Sequence, residues 1–195
     1  MAQDACLVVI CLLFFYVHTT LVVRDGVITS VPFAIEQGLL AGMFLTRRRS
    51  TATSTRPLDW AVASVGGWLP FALQAQHGGA NPLTVGGTAL QCVGLAGTII
   101  CFCYLGKSFG IVAANRGLKK HGPYGIVRHP IYLSHTVTMT GLLIANYHPL
   151  NLAIVALVSI CQLLRIRAEE RILTATADYA AYRKAVRWRL LPGLY

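Results

Sequence analysis

Apolar residues fall along the chain in six long blocks. Ala5–Val23 holds one polarisable side chain, His18, among Leu, Val, Ile and Phe. Val27–Thr46 is apolar except for Glu36, Gln37 and the Thr29-Ser30 pair near its start. Leu58–Ala75 and Leu83–Leu105 follow, then Ile131–Asn146 and Leu150–Ile166. Crossing about 30 Å of hydrocarbon takes about 20 helical residues, with a range of about 17–25. The first four blocks meet that length. The last two are shorter and are joined by Tyr147-His148-Pro149, which predicts a hairpin (131–166) that crosses only partly. The pattern therefore predicts an all-α integral membrane bundle of five to six transmembrane helices. It divides into N-terminal spans (1–105) and a second part (106–195). Met1-Ala2-Gln3-Asp4 gives the first block no positive flank, and no small-x-small site precedes Arg24-Asp25. That block is expected to be a retained helix, not a cleaved signal peptide.

Composition supports the membrane reading. Of 195 residues, 55% are hydrophobic and 12% charged, and the mean hydropathy is +0.58. A soluble domain carries about 25% charged residues, so this chain has half of what a wet surface needs. A disordered chain is excluded by the same low charge, and collagen by 18 glycines without a fixed period. The net charge of +10 raises the question of nucleic acid, and the placement of the charges answers it. Threading six spans with the N-terminus inside leaves Arg24 outside and puts the other sixteen Lys and Arg inside. That is the positive-inside bias of a multi-pass membrane protein whose basic runs anchor in an anionic leaflet. No nucleic-acid partner is expected; membrane lipids are.

All six cysteines lie within apolar blocks. Cys101 and Cys103 point about 200° apart on a helix, which suits neither a disulfide nor a shared metal. His129 and His135, six apart, share no helical face, and no His-Glu-x-x-His occurs, so no metal site is expected. Gly38-x-x-x-Gly42 in the second block, and Gly86, Gly87, Gly94 and Gly97 in the fourth, predict close helix packing. No dinucleotide-binding glycine fingerprint and no P-loop is present.

The chemistry is expected in the second part. Gly106–His129 is too charged to lie in lipid and ends in Gly122-Pro123-Tyr124, followed by Arg128-His129-Pro130-Ile131-Tyr132. Gly122-Pro123 signals a turn. His129-Pro130 signals a helix start, because Pro at the first helical position loses no hydrogen bond. Orphan N–H donors there could hold a carboxylate or phosphate, with Tyr124 and Tyr132 offering faces to a ring or a cation. The competing reading is an interfacial Tyr/Arg/His belt. After the last block, Arg165 and Glu169 stand at i and i+4 on one helical face at the hydrocarbon edge, where ionisable groups are costly; the plain alternative is a helix-end salt bridge. The basic, aromatic tail from Asp178 to Pro192 predicts an interfacial helix to about Val186, and it could also close over a ligand.

Gly122-Pro123-Tyr124, Arg128-His129-Pro130-x-Tyr132, Arg165-x-x-x-Glu169-Glu170, Tyr179-x-x-Tyr182 and Arg189-Leu190-Leu191-Pro192 together resemble the isoprenylcysteine carboxyl methyltransferase superfamily. That superfamily also contains phospholipid N-methyltransferases and small membrane thiol methyltransferases. The resemblance spans about residues 104–195 and implies a transferase using S-adenosyl-L-methionine at a cytosolic-face site. The site would be built from the loop after the fourth helix and the C-terminal helices. Carried over, the cofactor contacts are Leu118, Lys119, Tyr124, His129, Pro130, Tyr132 and Glu169. The catalytic pair is Arg165 and Glu169, with Arg165 orienting the acceptor. The run Arg116-Gly117-Leu118-Lys119-Lys120 departs from the polar residue and Leu-Val common ahead of the family's Gly-x-Tyr motif. The implied acceptor is a lipophilic small molecule or a lipid-modified substrate: a prenylcysteine carboxylate, a phospholipid amine or a small thiol. Outside this reading stand a sterol-reductase-like membrane enzyme using a nicotinamide cofactor, and a non-catalytic membrane protein.

Overall fold

The computed structural model describes residues 2–48, 50–73, 81–110 and 112–193. Its helices are α1 (Ala2–Asp25), α2 (Val31–Thr46), α3 (Pro57–Trp68), α4 (Pro82–Leu105), α5 (Pro130–Ala145), α6 (Pro149–Leu173) and α7 (Ala177–Ala185). Prolines open α3, α4, α5 and α6, where the missing N–H costs nothing. The Asn81 side chain accepts from the Thr84 N–H at 2.9 Å and caps α4.

Among the described residues, four stretches are long and apolar enough to cross a membrane: Ala5–Asp25, Ile28–Thr46, Pro82–Ser108 and Pro149–Leu173. Two lengths differ from the sequence expectation. The third block yields a helix of only 12 residues, α3, followed by a 3₁₀ turn over Leu69–Ala72. Pro70 has no N–H for the Gly66 carbonyl, and its ring crowds that carbonyl. The sixth block is longer than its apolar run, because α6 continues to Leu173 through Arg165, Glu169 and Glu170. A two-residue antiparallel pairing, Ala52–Thr53 (β1) with Ala114–Asn115 (β2), adds strand structure to an otherwise helical fold.

Helices α4 and α5 pack against each other more extensively than any other pair, and α1 pairs with α2 and α3 with α6. The α4–α5 seam rests on glycine. A Cβ at Gly87 would stand 2.6 Å from the Ala145 nitrogen and the Gly141 oxygen; one at Gly141 would stand 2.6 Å from the Gln91 nitrogen. Gly94 and Gly97 are likewise pressed against Ser134 and Thr138. The other expected packing glycines make no close approach: Gly42 and Gly86 face open space, and Gly38 makes only ordinary contact with Phe15 of α1. Gly87→Val is therefore expected to destabilise the protein by about 1–3 kcal/mol, while Gly86→Val leaves it unchanged. Thermal unfolding in detergent would check the pair, and equal melting would show that the seam does not carry the fold.

Leu12, Val93 and Ile160 stay exposed on the outer faces, as lipid contact requires. The polar connections gather at one end of the bundle. There α2, α4 and α6 finish, β1 meets β2, and the Arg48 N–H donates to the Lys107 carbonyl at 2.7 Å. That end, the rim, carries the candidate site.

Candidate functional site

The rim site starts with a turn that only glycine can open. Gly122 has φ +63°, and the space a Cβ would need is filled by the Tyr104 ring. The 3₁₀ turn Gly122–Gly125 follows and buries Tyr124. Arg128, His129 and Pro130 then lead into α5, with Tyr132 in its first turn. Across from them, α6 presents Arg165, Glu169 and Glu170, and α7 brings buried Tyr179 and Tyr182.

Glu169 is the carboxylate at the centre. The Tyr132 hydroxyl donates to its Oε1, and His129 Nδ1 lies 3.6 Å from its Oε2. The Arg165 guanidinium stands over the Tyr132 ring, 5.2 Å from the centroid, in cation–π geometry. His129 packs edge-on against the same ring at 5.8 Å. One tyrosine thus carries a cation on its face, a histidine at its edge and a carboxylate on its hydroxyl.

Glu170, one residue on, points a different way. It accepts from Arg128 Nε at 2.8 Å and from Arg189 Nε at 2.9 Å, and His129 Nε2 lies 3.4 Å away. The Arg128 guanidinium also donates to the Val186 and Arg187 carbonyls at 2.9 and 2.7 Å. The backbone N–H groups of Arg128 and His129 donate to the Trp188 and Arg189 carbonyls, both at 2.9 Å. Less of the α5 start is open to an anion than the sequence suggested: these two donors hold the C-terminal strap, and Arg128 serves the buried Glu170. Sequence reasoning gave no role to Glu170 or Arg189. The signal was the doubled Glu169-Glu170, whose side chains leave a helix about 100° apart and so must meet different partners.

His129 is buried between the two carboxylates. Burial alone would lower its pKa, but hydrogen bonds to Glu169 and Glu170 and their charges outweigh that and lift it above the ordinary 6.5. A raised folded-state value means the imidazolium's contribution is fully present below pH 6.5 and fades as pH climbs through the folded value. The melting gap between wild type and His129→Gln is therefore expected to be widest below pH 6.5 and to close above it, read by thermal unfolding across pH. A gap that widens with pH would reverse the assignment. Burial pushes the Tyr124 phenol well above its usual range, and Tyr182 to about 12, so both are neutral hydrogen-bonding groups.

Tyr124, Arg128, His129, Tyr132, Arg165, Glu169, Tyr179 and Tyr182 line a cavity of about 240 Å³ that runs from the rim down into the bundle. Of the sequence-predicted residues, Leu118, Lys119, Tyr124, His129, Tyr132, Arg165 and Glu169 are all on its wall. Pro130 is buried behind it, starting α5. Tyr124 lines the cavity, and its buried Oη has no hydrogen-bond partner among the described residues. Its neighbour Tyr182 donates instead to the Tyr124 carbonyl at 2.6 Å and fixes the turn. Arg116, Lys119 and Arg165 put positive charge on the lining of the cavity that also holds the Glu169 carboxylate. No cluster of three or more potential metal ligands occurs among the described residues.

Helices long and apolar enough to cross a membrane, with a charged cavity at one rim, define an all-α membrane protein. The sequence profile of the phospholipid methyltransferase family matches residues 77–178, from just before α4 into α7. The chain belongs to that family, within the isoprenylcysteine and phospholipid methyltransferase superfamily, and is a membrane methyltransferase by that membership. No curated protein matches it. Tyr179, Tyr182 and Arg189 of the resembling motifs lie beyond the matched stretch and are placed at the site by the fold alone.

Proposed function

We propose that the rim cavity binds S-adenosyl-L-methionine on the cytosolic face and that a lipophilic acceptor, entering from the bilayer, takes its methyl group. The observation that carries this reading is the Glu169–Tyr132–His129 constellation facing cationic wall residues in one cavity. When bound, the donor supplies a methyl group on a positively charged sulfur. The Glu169 carboxylate suits that charge. Lys119 and Arg116 suit the donor's own carboxylate, and the orphan Tyr124 hydroxyl has a hydrogen bond to give. Leu118 packs with Tyr179 and Tyr182 as an apolar wall suited to a flat ring. Pro130 sets the direction of α5 and so of Tyr132.

Methyl transfer is an in-line displacement, so alignment and exclusion of water supply much of the rate. Arg165, fixed over Tyr132, is placed to orient an acceptor against the donor, and α7 covers the rim. The test is to incubate the detergent-solubilised protein with methyl-labelled S-adenosylmethionine and, separately, farnesylcysteine, phosphatidylethanolamine and an alkyl thiol. Label moving into one of them names the acceptor class. Absence of both donor binding and transfer, in protein that melts cooperatively, rejects the reading.

A further inference from the structure

The cavity does not end at the rim. Its inner chamber holds polar groups with no place in the donor site: Glu36 and Gln37 on α2, His135 on α5, His18 on α1 and Thr98 on α4. Glu36 is 7% exposed, Gln37 5% and Thr98 2%. Ionisable groups inside a membrane bundle are costly and usually serve a function. His135 Nδ1 lies 3.5 Å from Glu36 Oε1. The buried atoms His18 Nδ1, Gln37 Oε1 and Thr98 Oγ1 have no hydrogen-bond partner among the described residues. Several unsatisfied polar atoms in one cavity mark a place for a polar guest, because an apolar guest would leave each of them desolvated at about 1–3 kcal/mol.

The chamber adjoins the Tyr132 side of the rim site. His135 follows Tyr132 by three residues, on the same face of α5 and about 4.5 Å deeper along the axis. Gln162, which meets Thr136 at 3.3 Å, closes the α6 side one turn before Arg165. Phe33 and Met139 pack together as the floor. Glu36 also sets the chemistry. Its carboxylate disfavours a second carboxylate in the same low-dielectric space. With Nδ1 turned to Glu36, the other ring nitrogen of His135 is the one left to accept a proton, the orienting logic of a carboxylate–histidine pair.

We propose that His135, held by Glu36, is the general base that takes the proton from a protic acceptor, an amine or a thiol, in this inner chamber. The inference rests on the rim being a methyl-donor site. An ammonium R–NH3⁺ or thiol R–SH gives its proton to His135. The freed lone pair forms the bond to the methyl carbon, the carbon–sulfur bond breaks, and its electrons stay on the departing thioether sulfur. The proton leaves later from His135, and no oxidant or further reactant is needed.

The test uses His135→Asn, which keeps a donor toward Glu36 but removes the second ring nitrogen, and Glu36→Gln. Donor affinity is measured by equilibrium binding of labelled S-adenosylmethionine. Transfer is measured to phosphatidylethanolamine, to an alkyl thiol, and to an aryl thiol already ionised at neutral pH. Both variants are expected to bind the donor like wild type. Both should lose about a hundredfold or more in kcat on whichever of the first two acceptors wild type uses. His135→Asn should recover most of its rate on the aryl thiolate, a selectivity that a purely structural role would not produce. Wild-type rates in both variants, equal losses on all acceptors, or loss of donor binding by both would overturn the proposal. So would a wild type that methylates farnesylcysteine alone, although the methyltransferase reading would survive. A folded wild type that binds no donor would remove both.

Discussion

Glu170→Ala is expected to destabilise the protein by about 3–5 kcal/mol, the cost of stripping the partner from a buried charge. The Arg128 side chain is 5% exposed, and Glu170 is the carboxylate it meets. Removing that carboxylate leaves the guanidinium with the Val186 and Arg187 carbonyls alone, and takes a partner from His129 and Arg189 as well. Arg189→Ala should cost far less, under about 1 kcal/mol, because its side chain is 29% exposed and its pairing is screened by water. Thermal unfolding of both variants in the same detergent gives the comparison. Equal melting would mean that Glu170 is not the hub of this end of the molecule.

The second large effect concerns binding. Glu169→Ala removes the acceptor of the Tyr132 hydroxyl and the neighbour of His129 Nδ1. Charge-assisted hydrogen bonds are worth about 1.5–3 kcal/mol, so affinity for S-adenosylmethionine should fall by about 10- to 150-fold. His129→Ala should fall in the same range. Tyr132→Phe keeps the ring under Arg165 and loses only the hydroxyl, so its loss should be smaller, about fivefold. Equilibrium binding of labelled donor reads all three. Undiminished affinity in both Glu169→Ala and His129→Ala would place the donor elsewhere, whatever the family.

How much of this could be read beforehand depended on how local each signal was. Hydropathy located α1, α2 and α4 closely, because a lipid-facing helix writes its length into its apolar run. It failed for α6, where the run stops near Ile166 but backbone hydrogen bonding continues to Leu173; a helix does not end where its side chains turn polar. It failed again at α3, where Pro70 ends a helix inside an apolar block. The pairing of Ala52 with Asn115 has no local signature at all. In the candidate site, Tyr124, His129, Tyr132 and Glu169 were legible because short motifs carry them, and all four line one cavity. Glu36 and Gln37 were visible as polar breaks in the second block, and His18 as the polar exception in the first. What the sequence could not supply was that two helices, α1 and α2, bring them to the same cavity as the motif residues.

The strap gives the molecule an order of assembly. The backbone donors at the head of α5 are satisfied by carbonyls at positions 188 and 189, some sixty residues downstream. During translation α1 to α6 can therefore be inserted while that corner is still open, and a segment made after them seals it. A nonsense codon anywhere between α6 and Trp188 would yield a chain that integrates, passes as a membrane protein, and presents exposed charge at its rim for quality-control proteases to find.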